Sequence, residues 1–234
     1  MCGRYTLTSQ EGLVADLELA LGEPAEPGEW WRPRFNVAPT QPAPVVANRE
    51  GPRAIEMMRW GLVPYWADEP SIGSRLINAR VETAATTPAY RDAVRRRRCL
   101  VLADGFYEWR KEGKKKTPVY LRPVPRRPIA FAGVWDRWRA PDGVWVLSFS
   151  ILTGPPNALV APIHDRMPVI VPHDAYARWL QPGEVDPASL ADLFAPAPVD
   201  DWRGVEVSPH VNKPDNDDPQ CIEPAAPAAQ GSLF

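Results

Sequence analysis

Proline constrains this chain more than any other residue: 29 prolines stand among 234 residues, about one in eight. Each lacks an N–H and locks φ, so it stops a helix and is confined to the start, edge or bulge of a strand. The prolines thus account for the shortness of the strand candidates. Between the prolines, short apolar and β-branched runs read as strands at Ala43–Ala47, Ile55–Trp60, Cys99–Ala103, Val119–Arg122, Ile129–Val134, Val144–Leu152, Val169–Val171 and Val205–Val207. Gly113, followed by lysines, marks a hairpin between the third and fourth of these, and Pro141-Asp142-Gly143 marks another turn. Residues 22 to 41, rich in Pro, Glu and Trp, read as an ordered loop.

Helical signals are few. Thr8-Ser9-Gln10-Glu11 reads as a capping box ahead of an apolar face on Leu13, Val14, Leu17 and Leu21. Asp174–Leu180 and Pro187–Phe194 read as short amphipathic helices, the second with proline at its start. Strand and helix do not alternate regularly, so the expectation is an α+β fold: a mixed, mainly antiparallel sheet or open barrel-like core flanked by a few short helices. The length suits one domain, residues 1–224, followed by a disordered Pro/Ala-rich tail, 225–234.

Apolar residues at 44% and charged residues at 24% give an ordinary soluble balance. No apolar run approaches the roughly 18 residues that span a bilayer, and the opening MCGRYTLTSQ lacks the features of a secretory leader. Three cysteines, at 2, 99 and 221, without CxxC spacing argue against zinc and against a disulfide framework. The expectation is a cytoplasmic protein with no metal, cofactor or membrane partner. Zinc deaminase, serine hydrolase and NTPase motifs are absent. A net charge of −2 hides an uneven distribution: Arg91 to Arg139 holds 15 Lys/Arg against 5 Asp/Glu, and the rest holds 12 against 24. Such a basic stretch either tracks phosphates or forms a solvated face, and charge alone does not choose.

Four constellations can carry chemistry. Cys2 follows a methionine that aminopeptidases remove ahead of small residues, which would expose an amine two carbons from a thiol. That pair condenses with an aldehyde, first as an imine and then as a five-membered thiazolidine. Taken alone, Cys2 reads more readily as a small buried residue near the terminus. Asn78-Ala79-Arg80-Val81-Glu82 offers an amide to orient a reacting group and a guanidinium to hold a phosphate, or simply a helix cap and an ion pair. Gly105-Phe106-Tyr107-Glu108-Trp109 sets a carboxylate between aromatics at a strand end, where desolvation raises its pKa and suits it to acid–base work, or where it pairs with a basic neighbour. Pro162-Ile163-His164-Asp165-Arg166-Met167-Pro168 gives His164 the richest polar setting of the three histidines, either to donate to or deprotonate an intermediate or as a hydrogen-bonded structural residue of a loop. Asp165, being adjacent, is expected to point away from it.

In this order the motifs are specific. Together with Met1-Cys2-Gly3-Arg4, Phe35-Asn36-Val37-Ala38-Pro39-Thr40, Trp60-Gly61-Leu62 and Val207-Ser208…Val211-Asn212, they make the chain similar to the SOS response-associated peptidase (SRAP) family over nearly its whole length. The resemblance implies a compact fold with a positively charged groove, and single-stranded DNA containing abasic sites as partner of a monomeric protein, beside the nucleoid if bacterial. It implies Cys2 as the crosslinking nucleophile and Asn78, Glu108 and His164 as active-site residues. Arg4 and Arg80 would hold phosphates, and Asn36, Pro39 and Trp66 would position or wedge the DNA. A thiol autopeptidase using Cys2, or a non-covalent reader of single-stranded DNA, are the competing activities.

Overall fold

The computed structural model describes residues 2–9, 18, 21 and 31–225. Thirteen strands follow in chain order: β1 (Tyr5–Leu7), β2 (Arg34–Val37), β3 (Pro42–Ala47), β4 (Ile55–Trp60), β5 (Asn78–Arg80), β6 (Arg98–Ala103), β7 (Gly105–Glu112), β8 (Lys115–Pro123), β9 (Ile129–Arg139), β10 (Trp145–Gly154), β11 (Met167–Pro168), β12 (Ile170–Val171) and β13 (Trp202–Glu206). Short helices among the described residues include α1 (Val81–Ala84), α2 (Arg91–Arg96) and α3 (Tyr176–Trp179). Among the 3-10 turns, those at Pro70–Arg75, Pro187–Phe194, Pro209–Asn212 and Pro219–Ile222 each open on a proline, where a missing N–H costs nothing. Proline is also placed within β3: Pro42 and Pro44 face β4, and pairing with β6 begins only at Val45. The N–H groups they lack are thus not needed by the second neighbour.

Two sheets result. One runs β13-β8-β7-β1-β2. The other closes on itself as β10-β4-β3-β6-β9, because β9 also pairs with β10, and carries β5, β11 and β12 at its rim. The pairings of β4 and β5 with β10 are parallel, and the others in this sheet are antiparallel. The expected α+β fold with a barrel-like core is what forms. Tyr5 joins the two sheets, meeting Trp60 at 5.2 Å and Phe131 at 5.7 Å between ring centroids. A second apolar cluster packs Tyr90, Val94, Tyr176 and Trp179 against Leu100 and Val134. Among the described residues no helix is long and apolar enough to cross a membrane.

Several boundaries differ from expectation. Residues 34–37 of the expected loop are β2, where Asp217 accepts the backbone N–H groups of Phe35 and Asn36, a partner no local pattern reveals. The hairpin at Gly113 joins β8 not to Cys99–Ala103 but to β7, so the Gly105–Trp109 motif is itself a strand. The expected first helix falls outside the described residues, apart from Glu18 and Leu21, which are helical. Thr8 and Ser9 present their backbone N–H groups to Asp104 at 2.6 and 2.9 Å.

Arg98 departs furthest from the solvated-face reading of the basic stretch. It is fully buried, with its guanidinium donating to the carbonyls of Trp179 (3.0 Å), Val94 (3.2 Å), Arg95 and Gln181, and burial lowers its pKa to about 10. It ties α2, α3 and β6 together. Arg98→Ala leaves those carbonyls without a donor, and chemical denaturation is expected to show a loss of about 3 kcal/mol or more. A loss under about 1 kcal/mol would mean water replaces the guanidinium without cost.

Candidate functional site

The site is built on strand register. Tyr5 stands opposite Phe106, and the Tyr107 N–H donates to the Arg4 carbonyl at 3.0 Å. Continuing that antiparallel register lays Gly3 across from Glu108 and Cys2 across from Trp109. Cys2 is fully buried, and its carbonyl accepts a bond from Asn78 Nδ2 at 2.8 Å. Asn78 in turn is held by two neighbours. It opens β5 opposite Ile151 of β10, and its carbonyl takes the Tyr90 hydroxyl at 3.0 Å. Its side-chain Oδ1 is buried without a hydrogen-bond partner, beside the backbone of Cys2. A buried acceptor left empty costs roughly 1–3 kcal/mol, so the site favours a donor arriving there.

Glu108 is 3% exposed. Burial, with Asp165 adding negative charge nearby, pushes its pKa up to about 7. It is therefore a carboxyl group able to give or take a proton near neutrality. Burial also pushes the Cys2 thiol up, and the Glu108 charge adds to this. The thiol is thus kept protonated until something relieves it.

His164 follows the turn at Asn157, whose Oδ1 accepts from the Val160 N–H at 3.0 Å, and the His164 N–H bonds the Val160 carbonyl at 2.9 Å. Arg166 fixes the far side, gripping Glu82 through two bonds of 2.7 and 2.6 Å and the Thr153 carbonyl at 2.8 Å. Against expectation, Asp165 does not point away: its Oδ1 lies 3.0 Å from His164 Nδ1. The Arg166 N–H reaches the same nitrogen at 3.0 Å. The backbone donor decides the ring's state, because it is fixed by the chain while the Asp165 side chain is 84% exposed. Burial moreover lowers the His164 pKa, which favours the neutral ring. Nδ1 is then an acceptor and Nε2 carries the proton.

The remaining expected residues divide into two groups. Arg4 and Asn36 are engaged within the protein. Arg4 donates to Asn36 Oδ1 (3.0 Å) and to the carbonyls of Val211 (2.9 Å) and Asn212 (3.3 Å), and its guanidinium lies 6.0 Å from the Trp109 ring centre. Asn36 Nδ2 reaches the carbonyls of Val211, Lys213 and Asn216 at 3.1, 3.0 and 2.7 Å. The other three lie at or near the surface. Pro39 is half-buried in the turn before Thr40, whose φ of 72° is uncommon for a β-branched residue. Trp66 is 47% exposed, and Arg80 is exposed two residues after Asn78.

The profile of the family described as "SOS response associated peptidase (SRAP)" matches residues 1–214. The chain belongs to the SRAP family. It is 37% identical over 95% of its length to the abasic site processing protein YoqW of Bacillus subtilis, covering 99% of that relative. It is 31% identical to the mouse abasic site processing protein HMCES over 86% of this chain and 69% of that one. A solved structure from Bordetella bronchiseptica superposes with a TM-score of 0.74 at 26% identity, covering 88% of this chain and all of the other.

Sequence reasoning missed several supports of this SRAP site. Tyr90 and Trp60 fix the backbone on either side of Asn78, the latter through Nε1 to the Ile77 carbonyl at 2.8 Å. Trp109 Nε1 donates to Asn212 Oδ1 at 2.8 Å. None of these pairs has a spacing that a sequence pattern could expose. Of metal-ligating types among the described residues, His210, Asp218 and Cys221 bring ligand atoms within 4.8 Å of one another under the C-terminal segment. There the His210 Nε2–Asp218 contact of 2.9 Å and the Cys221 thiol bond to the Asn216 carbonyl at 3.3 Å already satisfy the groups.

Proposed function

We propose that this SRAP protein captures abasic sites in single-stranded DNA as a covalent thiazolidine through Cys2, once Met1 is removed. One observation carries the reading: the residue next in line to become the terminus is buried and held by Asn78 at 2.8 Å, close enough to feel the charge of a carboxyl group whose pKa burial pushes up to about 7. The names of the relatives, abasic site processing proteins, agree with the substrate.

The steps balance as follows. The freed Cys2 amine attacks C1′ of the ring-opened deoxyribose, and Glu108 in its acid form protonates the departing hydroxyl, so one water leaves and an imine forms. The Cys2 sulfur adds to the imine carbon while its proton passes to the nitrogen, with the Glu108 carboxylate as relay. Asn78 Oδ1 accepts a hydrogen bond from the amine, and His164 Nε2–H steadies the sugar oxygen. Arg80 and the surface turn at Pro39 contact the strand, Trp66 wedges it, and Arg4 and Asn36 shape the groove from beneath. The grip is on phosphates, so sequence preference is weak. One chain supplies every group, which suits a monomer, and three free thiols suit a reducing compartment such as the cytoplasm. The closed adduct shields the lesion from strand cleavage.

Intact-protein mass spectrometry tests this directly. After incubation with a single-stranded oligonucleotide carrying one abasic site, the expected species is the protein without Met1 plus the DNA, less one water. Loss of Met1 with no adduct removes the covalent reading.

A further inference from the structure

The basic stretch that charge alone could not interpret is resolved by folding. Five of its arginines, at positions 95, 96, 97, 137 and 139, converge with Arg49 on one cleft of about 1010 Å³. Two exposed aromatics, Tyr65 (60% exposed) and Trp145 (53%), also line it, and Trp66 adjoins it in sequence. These are the large exposed aromatics of the described residues, gathered in one region. Lys114, Lys115 and Lys116 lie elsewhere, at the exposed β7–β8 hairpin.

The arginines are not equivalent. Arg49 pairs with Glu56, Arg96 with Glu184 and Arg97 with Asp136, at 2.6, 2.6 and 3.2 Å. Arg137 and Arg139 instead flank the Trp145 ring at 5.3 and 5.7 Å from its centre. Arg139 stands directly opposite Trp145 in the β9–β10 register, and Arg137 is two residues away on the same face. A guanidinium stacked over an indole leaves its edge N–H groups able to bond a phosphate, and the stacked pair presents a flat, cationic surface to a base. Phosphates and unpaired bases are the ligand class that meets both demands.

The cleft is linked to the Cys2 site by β10. Trp145 starts that strand, and Ile151, six residues on, pairs with Asn78, a span of about 20 Å. Tyr65 couples the same cleft to the loop carrying Trp66, its N–H donating to Asp136 at 3.1 Å, while Trp138 Nε1 holds the Ala67 carbonyl at 2.6 Å.

We propose that Arg137, Arg139 and Trp145 form a second nucleic-acid subsite that grips the single strand several nucleotides away from the lesion. It rests on the abasic-site reading for its place along the strand, but not for its chemistry. The test compares wild-type protein with Arg137→Gln/Arg139→Gln and with Trp145→Ala. Binding is measured over a range of salt on lesion-free single strands of about 15 nucleotides and on trinucleotides, sizes that bracket typical site lengths. The paired arginine variant is expected to lose about tenfold in affinity for the longer strand, with the salt slope reduced by about 1.4 for two phosphate contacts. Trp145→Ala is expected to weaken binding at unchanged slope, and neither variant to alter trinucleotide binding appreciably. Unchanged affinity and slope on the longer strand in both variants, with thermal melts confirming folding, would overturn the subsite. Wild-type protein that never forms an adduct, together with these losses in the variants, would retire the thiazolidine and leave the subsite standing.

Discussion

Cys2→Ala protein is expected to give no adduct that survives denaturation on an abasic single strand, whereas wild-type protein accumulates one. The alanine variant still loses Met1 and keeps a terminal amine, so the first condensation remains open to it. What it lacks is the sulfur that closes the ring. Its product is therefore an imine, which water reverses on denaturation and which borohydride traps. Cys2→Ser tests the same point with an oxygen, a poorer closing nucleophile, and is expected to behave like alanine. The contrast between trapped and untrapped samples separates a thiazolidine from a plain Schiff base. An SDS-stable adduct from Cys2→Ala without reductant would contradict the assignment of the sulfur.

Glu108→Gln is expected to slow adduct formation by about a hundredfold, the lower range for losing a positioned acid–base group. The same substitution should stabilise the protein, and the sign follows from the direction of the shift. Burial raises the carboxyl from its ordinary 4.5 to about 7, so the folded state binds the proton more tightly than the unfolded state. Stability then falls as pH rises from 4.5 to about 7, and above 7 the folded protein carries the full cost of a buried charge, at most about 3 kcal/mol. Glutamine removes that cost. The variant should melt above wild type at pH 8 and match it near pH 4, while its rate profile loses the inflection near 7. Equal melting at pH 8 would show that the carboxylate is satisfied in the folded state.

The fold was legible where the chain is apolar and punctuated. Ile55–Trp60 and Pro187–Phe194 have the expected bounds. The strands that place the site were harder to see. β1 and β5 have three residues each, too few for any period, and owe their form to neighbours in the sheet. β7 was hidden by its own motif: a Glu between aromatics looks like a strand end, yet the strand runs on through alternating partners in β8. The chemistry of Glu108 could be read from its aromatic neighbours. That of His164 could not, because its tautomer is set by the N–H of Arg166 and not by any spacing. Arg4 and Asn36 stand out as motif residues, but their partners lie 175 to 208 positions downstream, where sequence proximity offers no guide.

That long reach has a consequence for synthesis. Asn78 and β7 can fasten the first residues midway through synthesis, but Arg4 and Asn36 wait for Val211, Asn212 and Asn216 to appear. At about 5–20 residues per second, those bonds wait on the order of ten to forty seconds. This end of the molecule is therefore completed only when nearly the whole chain has been made.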